Sequence, residues 1–188
     1  MEGDFFPFLS IFYTEDNTLH TFPNKLPHNV TYKDVRKQLC NWKEIAVEKA
    51  KEKNKNAITF LQDGNYDVLM SYYKRKLPLS LFLLFDSDNK TVLAACLYQP
   101  GTVHTDDKYY VNIATFIVNP IFYGMGVGTL FFRYLCNQEK KLHICHGFIL
   151  LSEDSAFEFW TKMGFIKWNP PSQITIAIDK VTSMKYDF

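Results

Sequence analysis

The chain has 188 residues, 47% of them hydrophobic and 22% charged, with a formal net charge of +1. That length supports one domain with a substantial core. The near-neutral balance gives no electrostatic case for nucleic acid or an anionic membrane surface as partner, and no apolar run approaches the roughly 18 residues that span a bilayer.

The start, MEGDFFPFLSIF, carries acidic residues and a proline where a signal peptide needs a basic and then an apolar stretch. Cys40, Cys96, Cys136 and Cys145 are dispersed and read as reduced thiols, so the expected compartment is cytoplasmic or nuclear. In chain order, the pattern predicts a short strand around residues 5–13 and then loop to residue 30. Thr31 can cap a helix running to about Asn54, because Tyr32, Val35, Leu39, Trp42, Ile45 and Ala46 recur at helical spacing. A connector over 57–65 leads to a second amphipathic helix, 66–76, whose Lys74-Arg75-Lys76 end suits the negative pole of the helix. Residues 79–85 and 91–98 read as a hairpin around Asp86-Ser87-Asp88-Asn89, ended by Gln99-Pro100-Gly101 and followed by a loop over 102–108.

Residues 109–118 are almost continuously apolar, which is how a strand buried on both faces reads. Asn119-Pro120 breaks it, and Gly124, Gly126 and Gly128 open a helix. A helix N-terminus behind glycines is an anion site, since its unpaired N–H groups and its dipole both favour negative charge. A buried strand follows over 143–151 and makes a parallel βαβ unit with the first. Residues 152–163 read as a helix, with Ser155 and Glu158 fitting a capping box and Gly164 a C-terminal cap. A short strand over 165–168 and a last strand over 173–178 close a single α+β domain, residues 1–188, with a mixed sheet. Cys136, His143, Cys145 and His146 do not have the spacing of a tetrahedral metal motif, and no metal is expected.

Two separated motifs carry a family resemblance. Tyr123-Gly124-Met125-Gly126-Val127-Gly128 resembles the pyrophosphate loop of the GNAT acetyltransferase superfamily, and residues 156–165, AFEFWTKMGF, resemble its second signature, Ala-x-x-x-(Tyr/Phe)-x-x-x-Gly-Phe. The element order is also similar from residue 31 to 178, with residues 1–30 as a divergent N-terminal segment. The resemblance implies a GNAT, or acyl-CoA N-acyltransferase, fold: a central, mostly antiparallel mixed sheet with helices on both faces. It further implies acetyl-CoA or another acyl-CoA as co-substrate and a primary amine as acceptor, on a protein or a small molecule.

Carried onto this chain, the pyrophosphate would sit on the backbone of Tyr123, Gly124, Met125, Gly126, Val127, Gly128 and Thr129. The pantetheine arm would pair with Phe116, Ile117 and Val118. The family's Gln or Arg is Tyr123 here, and Trp160 falls where many members carry a tyrosine that protonates the departing thiolate, which indole cannot do. Asn112 matches a position where some members place a Glu or His base; its amide can orient a water. Neutralising an amine of pKa ~10.4 at pH 7 costs about 4.6 kcal/mol, so a base has work to do. Glu153, His146 and His143 are the titratable candidates, with Tyr109 or Tyr110 behind them, and the expected catalytic pair is Glu153 and Asn112. A competing reading is a non-catalytic acyl-CoA-binding module, because Tyr123, Trp160 and Asn112 all depart from the usual functional types.

Overall fold

The computed structural model describes residues 9–15, 18–23, 26–27, 29–53, 80–88, 90–105, 108–142, 145–169 and 181–188. The described elements are β1 (Leu9–Glu15), β2 (Thr18–Pro23), α1 (Tyr32–Lys53), β3 (Ser80–Phe85), β4 (Val92–Thr105), β5 (Lys108–Val118), a 3-10 turn (Pro120–Phe122), α2 (Val127–Leu142), β6 (Gly147–Glu153), α3 (Asp154–Lys162), β7 (Ile166–Lys167) and β8 (Val181–Asp187). The strands form one mixed sheet in the order β2-β1-β3-β4-β5-β6-β8-β7. β1 runs parallel to β3 and β5 parallel to β6, whereas β1 with β2, β6 with β8 and β7 with β8 are antiparallel. The chain divides into two compact units, Met1–Leu97 with Thr115–Phe131, and Tyr98–Ala114 with Phe132–Phe188.

In the first unit, α1 begins as its sequence predicts. Thr31 Oγ1 accepts from the Asp34 N–H at 3.2 Å, and the Asp34 carboxylate accepts from the Thr31 N–H at 2.9 Å, a reciprocal cap that satisfies two otherwise unpaired donors. Val35, Leu39, Trp42 and Ala46 form its buried face. Gln38 projects from the same helix to the strand hairpin: its Oε1 accepts from the Val92 N–H and its Nε2 donates to the Lys90 carbonyl, both at 2.8 Å. Asp86 closes that hairpin by accepting from the N–H groups of Lys90 and Thr91. β3 and β4 are neighbours joined by a turn too short for a parallel crossover.

In the second unit, Phe132 of α2 is the centre of an aromatic core, with Phe148, Trp160, Phe165 and Tyr186 at centroid distances of 5.4–5.9 Å. α3 ends in a Schellman motif. The Phe165 N–H donates to the Trp160 carbonyl and the Gly164 N–H to that of Thr161, each at 3.0 Å, with Gly164 at φ +96. The apolar contact that accompanies such a motif is Trp160 against Phe165, 5.0 Å between centroids.

One row of residues crosses three strands. Tyr110 on β5 stands opposite Gly147 on β6, which stands opposite Asp187 on β8. With no side chain between them, the fully buried Tyr110 reaches across Gly147 and its hydroxyl donates to the Asp187 carboxylate. Lys185 adds an ion pair to Asp187 at 3.2 Å and lies 5.3 Å over the Tyr110 ring. Burial, reinforced by the hydrogen bond to Asp187, raises the Tyr110 phenol above its ordinary value. Burial also pushes Asp187 upward, but the bonds from Tyr110 and Lys185 outweigh it and leave the carboxyl lowered.

Several boundaries differ from the sequence expectation. β4 runs through Gln99-Pro100-Gly101 to Thr105, so most of the expected loop 102–108 is strand. Counting back from the hairpin turn, β3 is used up near residue 97, and the missing N–H of Pro100 falls beyond the described β3. β2 occupies residues expected to be loop, and β8 was not anticipated. β6 starts at Gly147 rather than 143, and α3 starts at Asp154, with Glu153 rather than Ser155 preceding its first turn. The expected helix 66–76, its connector 57–65 and the strand 173–178 lie outside the described residues.

A Cβ added at Gly147 would lie 1.9 Å from the Tyr186 carbonyl oxygen, a backbone atom held in the sheet. Gly147→Ala is therefore expected to destabilise the protein by about 3 kcal/mol, lowering the thermal midpoint by roughly 6–12 °C. Tyr110→Phe removes the hydrogen bond to a half-exposed carboxylate and the 3.5 Å one accepted from Lys185, and is expected to cost only about 1 kcal/mol. Thermal denaturation followed by circular dichroism checks both, and an unchanged Gly147→Ala midpoint would contradict the three-strand register.

Candidate functional site

The site starts where β5 ends. Asn119 is 3% exposed and uses every part of its amide. Its backbone N–H donates to the Leu93 carbonyl at 2.8 Å, its Nδ2 to the Val92 carbonyl at 3.2 Å, and its Oδ1 accepts from the Ile121 N–H at 3.1 Å. Pro120 follows at the first position of the 3-10 turn, where a missing N–H costs nothing. The turn closes through Phe122 N–H to the Asn119 carbonyl at 2.9 Å and Met125 N–H to the Phe122 carbonyl at 3.2 Å. α1 lies against this turn. Sequence reasoning took Asn119-Pro120 as a chain breaker only; an Asn directly before a Pro is also a capping signal.

Gly124 and Gly126 adopt φ +83 and φ +80, a region costing other residues roughly 1–2 kcal/mol. A Cβ at either would meet nothing within 4 Å, so the requirement is conformational and the space beside them is open. α2 then begins at Val127, and its first capping bond is Leu130 N–H to the Gly126 carbonyl at 3.0 Å. Among the described residues, the N–H groups of Gly124, Gly126, Val127, Gly128 and Thr129 donate to no backbone carbonyl outside the helix. Five donors in six residues at a positive helix end can hold an anion. No charged side chain occurs from 119 to 132. The apolar side chains Ile121, Tyr123, Met125 and Leu130 around the turn are 45–69% exposed.

Upstream of the turn, Phe116 is half-buried with its ring 5.5 Å from that of Phe131 on α2; Ile117 is buried and Val118 half-buried. β5 pairs with β6 over Tyr110–Ile113 against Gly147–Leu150, although β5 continues to Val118 and β6 to Glu153.

The remaining expected residues belong to the second unit. Asn112 is half-buried on β5, opposite Ile149. Trp160 is 5% exposed, its ring packed against Phe132, Phe159 and Phe165 in the aromatic core. Glu153 is the last residue of β6 and occupies the N-cap position of α3 without making a side-chain cap bond. Its Oε2 is buried and has no hydrogen-bond partner among the described residues. Burial alone pushes its carboxyl up to about 7.

His146 stands at the other end of β6. Its Nδ1 accepts from the Tyr109 N–H at 3.0 Å and its own N–H donates to the Tyr109 carbonyl at 2.7 Å, so it ties the starts of the two parallel strands. Seven residues of strand place it roughly 23 Å from Glu153. His143 lies outside the described residues. Cys136 and Cys145 are buried thiols, raised to about 12 and about 11 mainly by desolvation, in the range of inert cysteines. Cys145 Sγ is 3.8 Å from the buried Glu139 carboxylate.

No family model matches the chain, and no curated protein matches it. Solved structures do. An acetyltransferase of the GNAT family from Staphylococcus aureus Mu50 is similar over 84% of this chain and 95% of its own, at 14% identity and a TM-score of 0.56. GCN5 from Tetrahymena is similar over 85% and 91%, at 16% identity and a TM-score of 0.52. The PaiA N-acetyltransferase from Thermoplasma acidophilum, crystallised with coenzyme A, is similar over 81% and 94%, at 15% identity and a TM-score of 0.52. A strand that ends in a clamped glycine turn and opens a helix with unpaired donors is set in a mixed sheet shared with these proteins, and the chain has the GNAT N-acetyltransferase fold.

Proposed function

We propose that this protein is an acetyl-CoA-dependent N-acetyltransferase whose acceptor is a primary amine, on a protein or a small molecule. The observation that carries the reading is the set of five N–H groups at Gly124, Gly126, Val127, Gly128 and Thr129, in the glycine turn of a GNAT fold. The cofactor's pyrophosphate takes these donors, and Tyr123 and Met125 flank it. The pantetheine arm lies along the backbone of Phe116, Ile117 and Val118, whose pairing with β6 has already stopped. Transfer is direct: the amine nitrogen bonds to the thioester carbonyl carbon, the carbon–sulfur bond breaks, and coenzyme A leaves as the thiol. Asn112 orients a water. No metal is required by this chemistry.

Trp160 favours a second reading. Its ring is spent on core packing and has no acidic proton to give a departing thiolate. If no other group serves, the fold is an acyl-CoA-binding module without turnover.

Acetyl-CoA at 100 times its dissociation constant is expected to stabilise the protein by about 2.7 kcal/mol, a rise of roughly 5–11 °C in thermal midpoint. Absence of any shift with acetyl-CoA or coenzyme A would end both readings. Gly126→Asp puts a carboxylate against the pyrophosphate and should abolish the shift, whereas Gly126→Ala carries the same backbone strain without the charge and should keep most of it. A Gly126→Asp protein that binds acetyl-CoA like the unmodified chain would place the cofactor elsewhere. Free-thiol release against polyamines, amino sugars and lysine peptides then separates enzyme from module.

A further inference from the structure

Met125 stands in the middle of the glycine turn with its thioether in solvent. It is 69% exposed, the highest value for a large apolar side chain among the described residues. Its backbone is held: the Met125 N–H donates to the Phe122 carbonyl at 3.2 Å, and Gly124 and Gly126 on either side keep φ +83 and φ +80. A Cβ at either glycine would meet nothing within 4 Å, so the space on both sides of Met125 is open. The other described methionines are less accessible. Met184 is fully buried on β8, and Met163, at the C-cap of α3, is half-buried. Susceptibility of a thioether to a dissolved oxidant follows its exposure, which puts Met125 ahead of both.

Oxidation there changes the hydrogen bonding of the turn. A thioether sulfur is a weak acceptor, whereas the sulfoxide made from it carries a polar oxygen. Gly124, Gly126 and Val127, beside Met125 in the chain, present N–H groups that donate to no backbone carbonyl outside the helix. The methionine side chain has three rotatable bonds, enough to turn the new oxygen back onto these donors. They are the donors that the cofactor's pyrophosphate takes in the reading above. The same oxygen also breaks the apolar rim that Ile121, Tyr123 and Leu130 form with Met125.

We propose that Met125 is a site of reversible oxidation through which peroxide weakens acetyl-CoA binding. This rests on the cofactor placement given under the proposed function. A sulfur lone pair bonds to one oxygen of hydrogen peroxide and the O–O bond breaks. The second oxygen leaves as hydroxide and takes the proton carried by the first, giving sulfoxide and water. Sulfur is oxidised by two electrons and peroxide is reduced by two. A methionine sulfoxide reductase with a dithiol reverses the step: the dithiol becomes a disulfide, the oxygen leaves as water, and the thioether returns. In the oxidised state the sulfoxide oxygen accepts from the turn, and the pyrophosphate has to displace it.

The test is a time course in hydrogen peroxide, with sulfoxide at each methionine read by peptide mass spectrometry and the acetyl-CoA Kd by titration calorimetry. Met125 should convert well before Met163 and Met184. The Kd should rise roughly tenfold as it does, the scale of one exchanged hydrogen bond. Methionine sulfoxide reductases acting on both epimers should restore the thioether and the affinity together. Dithiothreitol alone should restore neither, which separates the effect from oxidation of the exposed Cys40. Met125→Leu, compared with itself, should give the same Kd before and after peroxide. Should that variant not fold, the time course of the unmodified chain decides, and a loss of affinity that follows sulfoxide at another methionine overturns the proposal. Complete Met125 oxidation with an unchanged Kd, or recovery with dithiothreitol alone, overturns this proposal and leaves the cofactor reading standing. An unoxidised chain that binds no acetyl-CoA overturns that reading and this one with it.

Discussion

The amide of Asn119 is the constraint on which the glycine turn depends. A strand of eleven residues tends to continue as a strand, and ending it requires its last polar groups to find partners other than the next rung. Asn119 supplies them together: its main chain and its Nδ2 bond β4 at Leu93 and Val92, and its Oδ1 takes the Ile121 N–H, which starts the turn. Because these bonds are buried, breaking one leaves an unsatisfied group in a low dielectric, which costs more than the bond returns when made. The chain direction is thus fixed before the glycines are reached. Gly124 and Gly126 supply conformations others avoid, and Pro120 supplies a preset φ; neither anchors anything.

The second signature works by packing. In AFEFWTKMGF, Gly164 is the residue that can take φ +96 after α3, and Trp160 and Phe165 are the two positions that such a cap brings into contact. Both rings then face Phe132, and Tyr186 closes the cluster from β8. A pattern of alanine, aromatic, glycine and phenylalanine at these intervals therefore reports how a short helix is stopped and seated. It spends Trp160 on the core.

Elements whose signal is local were legible in the sequence. The Thr31 cap, the apolar face of α1, the buried strand β5, the glycine turn and the Gly164 cap each depend on residues within one or two turns, and each was placed within a few residues of its position. Elements set by their partners were not. β4 passes Pro100 because what matters is which neighbour lies beside that N–H, not the proline itself. β2 and β8 lack strong alternation, since their pairing with β1 and β6 is decided by the sheet. The same distinction holds at the site. The donors of the glycine turn follow from backbone geometry encoded by glycine, whereas the burial of the Glu153 Oε2 is visible only once the surroundings of β6 are known. From sequence, Glu153 reads more readily as a first-turn acid of the following helix, and the structure gives it no side-chain cap bond.

A shared electrostatic choice underlies both features. The chain has 21 basic residues, yet none falls from 109 to 132 or from 142 to 161. In the glycine turn this leaves backbone N–H groups at the start of α2 as the polar groups presented there. Such donors are directional and short-ranged, so they select geometry more than net charge. At Glu153, burial raises the proton affinity of the carboxyl. A lysine or arginine within a few ångströms would favour the carboxylate and pull its proton affinity down by one to three pKa units. Backbone geometry at the glycine turn and desolvation at the end of β6 thus set the polar character of these two places.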